Sequence, residues 1–450
     1  HCATMMAALG AEVIKVESLM RVDAARIKQV AKDGKASTMV VDPNRLEHGY
    51  AFHAINTGKL GVRANFKSRC HPGGVLAEGS GAAGSSPPLP TYVGRGTPAK
   101  PRGSEAFPSC YHDLVRSLVQ TADVVIEAFT PGVIERLGLG YETRRRWRPE
   151  LVMLSLAGFG RGGPESGYRA YAPVFAASGL CHVSGYRDGP PMEFIGSIDS
   201  TAGTHALMAV MAALAQRDRT GVGQHIDLSG AECVTALLGG PVIEYAATGK
   251  APQRDGNRRP GFAPNNCYRC RGDEEWISIA IATDDEWQAL ASVIDRSSLS
   301  LSSSDGEGPL AKPGRVRSGR VRRDRRFATL AARKKNEASL DALIEAWTRT
   351  VAVYDAMRLL QTAGVAAVPS FRSDQLFTDP HIAGREGWVR LVHPVQGIRH
   401  ELRAPWRFAN AGAVYRPAPL MGQHEPYIYG DLLGIPEATL DRLRQSRVVY

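Results

Sequence analysis

The sequence predicts an α/β layer architecture with a largely parallel sheet, together with a second, smaller α/β domain. Three observations carry that expectation. Short apolar runs of strand character alternate with helical spacings through the first half of the chain, which is the signature of βαβ units. At 450 residues the chain is long enough for more than one core, so two domains is the natural starting point. A fresh strand candidate at Trp276–Ala282 then opens what reads as the smaller domain.

In chain order, Glu12–Glu17 is a short β-like run, Leu114–Thr121 has helical spacing, and Val124–Glu127 reads as a strand. Val133–Leu137 starts another helix, and Leu151–Leu156 is again strand-like. Beyond Thr220-Gly221-Val222-Gly223, a turn signal, come a strand at Gln224–Leu228 and a helix at Ala231–Leu238. Helices at Leu340–Thr348 and Val353–Ala363 lead towards the C-terminal region. The resulting expectation is a large domain over 1–230, a small domain over 250–340, and a segment over 345–450 that returns to the large domain. Two stretches break the pattern. Residues 69–110 are dense in Gly, Pro and Ser, and 297–326 pass from a Ser-rich stretch into an arginine run. Both read as loop-like inserts with little to offer a core.

Composition narrows the function classes. No uninterrupted apolar run approaches the ~20 residues needed to cross a bilayer, and no signal peptide opens the sequence, so membrane partners are not expected and the default location is cytoplasmic. Seven cysteines, odd in number and scattered, argue for reduced thiols over a disulfide framework. The single close pair, Cys267-Tyr268-Arg269-Cys270, lacks a second pair to complete a structural zinc site, so no metal is expected. Between Lys312 and Lys335 eleven basic residues face one acid, Asp324, a surplus equal to the formal +10 of the whole chain. The rest is near neutral. With no aromatic platform or recognised binding fold beside the run, a solvated arginine loop is preferred over nucleic-acid binding.

One residue stands out chemically. Asp199 sits in Gly196-Ser197-Ile198-Asp199-Ser200-Thr201-Ala202-Gly203-Thr204, ahead of an apolar stretch, His205–Leu214, that reads as a helix. The free N–H groups and positive dipole end of such a helix favour a carboxylate there and can steady a neighbouring oxyanion. Asp199 is therefore the nucleophile candidate. The competing assignment is structural: Asp199, Ser200 or Thr201 simply caps the helix.

A series of segments bears on this choice. Ala7-Ala8-Leu9-Gly10-Ala11-Glu12-Val13-Ile14-Lys15-Val16-Glu17, Asn56-Thr57-Gly58-Lys59, Ala122–Gly132, Leu137-Gly138-Leu139-Gly140-Tyr141-Glu142 and Gly158-Phe159-Gly160 with Gly163-Pro164 occur in that order. After Asp199 come Arg219–Gln224, Gly256-Asn257-Arg258-Arg259-Pro260, Asp379-Pro380-His381 and Arg416–Gly422. Together they resemble the family III CoA-transferases (the CaiB/BaiF family), the group that contains formyl-CoA and carnitine CoA-transferases and the 2-methylacyl-CoA racemases. The resemblance implies a doubly wound large domain built from both ends of the chain, and homodimers in which two open rings interlock. It also implies a strand ahead of Cys2, without which two sheet edges stand unpaired or the sheet is reordered.

For activity, the resemblance implies that Asp199 attacks an acyl-CoA thioester and that CoA passes to a free carboxylic acid through aspartyl anhydride and aspartyl-CoA intermediates. Acyl-CoA and carboxylic acid are the implied substrates, with no cofactor beyond the CoA thioester itself. Phe129 matches the position that packs near the adenine of CoA, while the preceding amide is replaced by Ala128. Arg136 matches a basic residue around the nucleotide, and Arg169 falls where a phosphate-facing Lys is usual. For both arginines a solvated surface charge is the alternative.

Rivals remain at this stage. A racemase needs a His as one of two bases, and the position where the family places it is Ala170; His182 and His205 lie in the same region but read as satisfied core groups. Gly158-Phe159-Gly160-Arg161-Gly162-Gly163 after a strand fits the dinucleotide fingerprint, yet Pro164-Glu165-Ser166-Gly167 leaves no helix to seat a pyrophosphate. An inactive homologue acting only as a subunit is the non-enzyme alternative.

Overall fold

The computed structural model describes residues 1–18, 26, 29–32, 35–39, 50–65, 91–94, 110–170, 174–192, 197–301 and 320–449. The chain divides into two compact units: the first comprises His1–Cys181, Glu193–Lys250 and Glu386–Tyr450, the second His182–Met192 and Ala251–Arg385.

The first unit opens with helix α1 (Cys2–Ala8) and strand β1 (Glu12–Glu17), followed by a hairpin of β2 (Gln29–Lys32) and β3 (Lys35–Met39). Helix α2 (Tyr50–Asn56), β4 (Leu60–Arg63) and β5 (Thr91–Gly94) follow. Then come α3 (Tyr111–Thr121), β6 (Val124–Glu127), α4 (Val133–Arg136), α5 (Tyr141–Trp147) and β7 (Val152–Ala157). Two single turns, α6 (Val174–Ala177) and α7 (Leu180–Val183), precede the long α8 (Ser197–Thr220), β8 (His225–Ser229), α9 (Gly230–Thr235) and α10 (Gly239–Thr248).

Six of these strands, all but β2 and β3, form one sheet in the order β4-β1-β5-β6-β7-β8. β1 runs parallel to β4, β6 to β7 and β7 to β8, with Glu127 opposite Ser155 and Ser155 opposite Asp227. Consecutive strand residues point to opposite faces, and the sequence uses this to feed two cores. Ile14, Val16, Val125 and Met153 pack with Leu114, Leu118, Ile134 and Leu440. Their neighbours Val13, Val124, Val152 and Leu154 pack with Met6, Ala206, Val210 and Ala213. Helices therefore cover both faces, the layering expected of a mixed α/β fold with parallel strands.

Two expectations need correction here. Residues 69–110 were expected to be loop, and most of that insert lies outside the described residues. Its Thr91–Gly94, however, is β5, antiparallel to both β1 and β6 and hydrogen-bonded between them. Backbone pairing is indifferent to the Gly/Pro-rich composition around a four-residue strand, so composition hid it. Of the two outcomes anticipated, unpaired edges or a reordered sheet, the first does not occur at β1 and β6, because β5 lies hydrogen-bonded between them. The second correction is at Cys110, which is disulfide-bonded, while Cys2, Cys181, Cys233, Cys267 and Cys270 are free.

The second unit is built on an antiparallel sheet of β9 (Asn265–Arg269), β10 (Trp276–Ala280) and β11 (Ala366–Pro369), ordered β11-β10-β9. Helices α11 (Asp284–Leu301), α12 (Leu330–Lys335), α13 (Glu337–Thr348) and α14 (Val353–Thr362) complete its core. Trp287 and Phe327, both fully buried, meet edge to face at 5.6 Å among Leu290, Leu340 and Ile344. The buried Arg333 binds this core to its surroundings, donating to the carbonyls of Ala263 (2.7 Å) and Phe327 (3.2 Å) and pairing with Asp284 at 2.9 Å. The unit runs on through β11, α15 (Ser373–Thr378) and α16 (Pro380–Gly384). Residues 345–385, expected in a returning segment, thus belong to it.

The arginine-rich part of the insert at 297–326 lies partly outside the described residues. Where described, it is not a free loop: α11 continues to Leu301, Val321 is buried, and both oxygens of the buried Asp295 accept from the N–H groups of Val321 and Arg322.

Glu386–Tyr450 closes the first unit with the hairpin β12 (Trp388–His393) and β13 (Gly397–Leu402) and the terminal helix α17 (Glu437–Gln445). Among the described residues no helix is long and apolar enough to cross a membrane.

Candidate active site

Asp199 is exposed and sits in the first turn of α8. The helix starts at Ser197, eight residues earlier than the apolar stretch suggested, because Ser and Thr are accepted readily in a first turn. Asp199 therefore lies inside the helix end rather than ahead of it, where the first four backbone N–H groups have no intrahelical acceptor. The helix is about 36 Å long at 1.5 Å per residue. Its middle residues Ala206, Val210 and Ala213 fasten it to the sheet.

Topology fixes which end of the sheet this is. α8 leads directly into β8, which is parallel to β7 and β6, so the helix packed on their face runs antiparallel to them. Its N-terminus, with Asp199, stands at the carboxyl ends of the parallel strands. That is where open α/β sheets bind ligands.

Of the other expected site residues, Ala128, Phe129 and Arg136 belong to the segment that follows β6, and Arg169 to the longer segment that follows β7. Ala128 is half-buried. Phe129 is only 5 % exposed and belongs to the core with Leu114, Ile134 and Leu139. Its ring therefore anchors this loop among those side chains. Arg136 is exposed, at the last position of α4. That helix is a single turn entered through Gly132 at φ +84°, a left-handed conformation that favours glycine. Arg169 is exposed beyond the turns that follow β7. Neither a hydrogen bond nor an ion pair joins Asp199 to any of the four.

It does assemble a cluster that the sequence did not announce. Glu127, the last residue of β6, is 1 % exposed; its Oε2 accepts from the Phe129 N–H at 2.8 Å and its carboxylate is also bound by the Ser155 hydroxyl. Arg161, in the loop after β7, donates from Nη1 to Glu127 Oε1 at 3.3 Å and from Nη2 to Glu135 of α4. The Arg161 N–H is in turn held by both carboxylate oxygens of Asp227 on β8, at 3.0 and 3.1 Å. Burial pushes the Glu127 carboxyl up, against the pull of Ser155, the Phe129 N–H and Arg161. Burial also pushes Glu135 up, but the Arg161 hydrogen bond and charge outweigh it and leave that carboxyl below its usual range. The signals available in the sequence were a charged residue closing the apolar run Val124–Ile126 and an arginine inside the glycine motif.

Ser155 Oγ lies 2.9 Å from His225 Nε2, the spacing of a nucleophile and its base. Ser155 is only 1 % exposed, and with its single O–H donated to Glu127 its Oγ accepts a hydrogen bond from the His225 Nε2–H. Burial, then Arg161, lowers the His225 pKa, and the ring stacks on Tyr141 at 5.1 Å. This pair is structural. The glycine motif continues into turns through Gly167, and no helix opens after Gly163. His205 is part-buried with Nδ1 2.9 Å from the Thr201 carbonyl, whereas His182 is exposed and is not the core group expected. Among the described residues no group of three His, Cys, Asp or Glu side chains is arranged to hold a metal ion.

Comparison with known proteins is consistent along the chain. The profile of CoA-transferase family III matches residues 1–70, 111–308 and 313–425. The succinyl-CoA–D-citramalate CoA-transferase of Chloroflexus aurantiacus is 33 % identical over 339 residues, covering 75 % of this chain and 79 % of that protein. The succinate–glutarate CoA-transferase of Agrobacterium fabrum is 27 % identical over 431 residues, covering 95 % and 90 %. In structure, a CaiB/BaiF family protein from Brucella suis superposes with a TM-score of 0.70 at 27 % identity, covering 96 % of this chain and 94 % of that one. With parallel strands, helices on both faces and an acidic helix end at their carboxyl termini, this chain belongs to CoA-transferase family III, a family of transferases.

Proposed function

We propose that the chain moves CoA from an acyl-CoA thioester to a free carboxylic acid, with Asp199 as the nucleophile. The observation that supports this most is the exposed Asp199 carboxylate in the first turn of α8, on the ligand-binding end of the sheet. A carboxylate oxygen attacks the thioester carbonyl carbon, the C–S bond breaks, and CoA leaves as thiolate with the electron pair. The remaining acyl-aspartyl anhydride is then attacked by that thiolate at the aspartyl carbonyl, releasing the donor acid and forming an aspartyl-CoA thioester. An incoming carboxylate repeats the two steps in reverse order and departs as the new thioester, which regenerates Asp199. Protons and electrons balance at every step, so the exchange calls for no redox group. The N–H groups that point out of a helix's first turn and the helix dipole suit the developing oxyanion.

Arg136 and Arg169 are assigned to the nucleotide and phosphates of CoA, with Ala128 lining the approach. Phe129 is assigned beside the adenine, with its buried ring also holding that loop. The family's interlocked homodimer is part of this reading, in the cytoplasm, where no membrane or nucleic-acid partner is required. It is supported by α10, which has no buried residue and exposes Val242, Ile243 and Tyr245, an apolar surface of the kind that a second copy covers.

The test is Asp199→Asn in the full chain, assayed for CoA exchange between a panel of acyl-CoA donors and free acids. Exchange should fall by at least about a thousandfold, the scale of removing a covalent nucleophile, with the circular dichroism spectrum unchanged. Substantial exchange by the variant, or wild-type turnover without a trappable adduct on the Asp199 peptide, refutes the mechanism.

A further inference from the structure

The proposed mechanism leaves the Arg161 cluster unused, yet its connections are unusual. One residue, through its backbone and its guanidinium, links three parallel strands. Arg161 itself follows β7, its backbone N–H is gripped by Asp227 of β8, and its side chain joins Glu127 at the end of β6 to Glu135 in α4. Two different carboxylates are reached from two different nitrogens, which the planar fork of arginine allows and a lysine ammonium does not. The Arg161 side chain is only 15 % exposed and that of Glu127 is fully buried, so this half of the arrangement is shielded from water and salt. Glu135, at 46 % exposed, is the solvent-facing half.

What the cluster holds is α4. A single helical turn does not maintain itself, because nucleation outweighs its few hydrogen bonds. Its bearing is set by the buried Ile134 on one side and the Arg161–Glu135 pair on another. Adjacent helical positions are separated by about 100°, so fixing Glu135 also fixes the direction in which Arg136 leaves the turn. A Cβ at Gly132 would stand 3.1 Å from Arg136 Nη1, which places that guanidinium over the entry to the same turn.

We propose that Arg161 is a positioning residue for the nucleotide half of CoA: by clamping Glu127 and Glu135 it orients the turn Val133–Arg136 so that Arg136 faces the phosphate-bearing end of the ligand. This rests on the assignment of Arg136 to CoA made above. The chemistry at Asp199 is not touched by it. The clamp governs how tightly the nucleotide is held, and the pantetheine arm is bound elsewhere.

The experiment measures equilibrium binding of free CoA and of pantetheine, which lacks the nucleotide, to the full chain and to four variants: Arg161→Met, Glu135→Gln, Arg136→Ala and the Arg136→Ala/Arg161→Met pair. Arg161→Met should weaken CoA by about tenfold, equivalent to 1.4 kcal/mol, and leave pantetheine unchanged. Glu135→Gln should weaken CoA by roughly threefold, since only the solvent-facing half of the clamp is lost. The double variant should bind CoA no more weakly than Arg136→Ala, because both act through one contact. If Arg161→Met does not fold, Glu135→Gln decides the matter, because it leaves the buried pair with Glu127 intact. Wild-type CoA affinity in Arg161→Met and Glu135→Gln overturns the clamp while the CoA assignment stands. Equal losses of CoA and pantetheine overturn it as well, since they report general damage. A wild-type chain that binds no CoA overturns both readings.

Discussion

Acidification should unfasten the first unit at His393. The ring ends β12, is 1 % exposed, and meets His53 nearly perpendicular at 4.4 Å. Its Nδ1 accepts from the N–H groups of Val395 at 3.2 Å and Gln396 at 3.1 Å, so the proton of the neutral ring is on Nε2. Protonating Nδ1 would set a donor against two donors. Burial, helped by the charges of His53, Arg399 and Arg26, lowers the pKa from 6.5 to about 4. The folded value is depressed, so the unfolded chain takes up the proton first. The contribution is fully present above about pH 6.5 and is lost as pH falls towards about 4, reaching about 2.5 kcal/mol at pH 4.5. His393→Asn keeps an oxygen acceptor for the two N–H groups but cannot titrate. Hydrogen exchange of first-unit peptides in urea is the suitable assay, because the two units need not unfold together. Between pH 7.5 and 4.5 the wild-type unit should lose about 2.5 kcal/mol more stability than the variant. Other histidines with lowered values, His225 and His424, titrate equally in both proteins and cancel. Parallel losses in the two proteins would refute the assignment.

Two structural predictions accompany this one. Arg333→Met should destabilise the second unit by roughly 3–5 kcal/mol, because it strips the carbonyls of Ala263 and Phe327 of their buried donor; an unchanged denaturant midpoint for that unit would contradict it. Gly223→Ala should block folding or cost more than about 3 kcal/mol, since its Cβ would collide with the carbonyl of Leu151, which leads into β7; soluble yield and thermal melting report the outcome.

The sequence was most informative where burial imposes a period. Val124–Glu127 was read with its observed bounds, Leu151–Leu156 and Gln224–Leu228 lie within one residue of β7 and β8, and Leu340–Thr348 and Val353–Ala363 lie on α13 and α14. These elements carry continuous apolar runs or regular apolar spacing, which local pattern registers. Family membership was likewise legible from the order of short motifs. The Arg161 cluster was not, because Glu127, Glu135, Ser155, Arg161 and Asp227 are dispersed along the chain and only the register of β6, β7 and β8 brings them to one rim. In the sequence, Arg161 reads only as a spacer in a glycine pattern. The burial of Phe129 was missed for a related reason: an aromatic after a strand reads the same whether it faces a ligand or a core. The hairpin β12–β13 left no clear signal, since Trp388, Val392, Ile398 and Leu402 are apolar without facing a continuous core; three of them are more than half exposed.

The place of β5 bears on how the first unit is assembled in time. Thr91–Gly94 pairs with Val124–Ile126 of the next strand on one side and with Glu12–Lys15 on the other, so one of its two pairings, that to β1, joins segments distant along the chain. Such pairings close only after long stretches have given up their freedom, and they reward that loss late. The local hydrogen-bonded unit β6-α4-α5-β7, by contrast, has its parallel partner within thirty residues and can form early. The centre of the sheet is then the last part to be completed and the first whose neighbours are bared when the fold breathes. Stability measured there, residue by residue, should lie well below that of Val124–Glu127 and Val152–Ala157 on its flank.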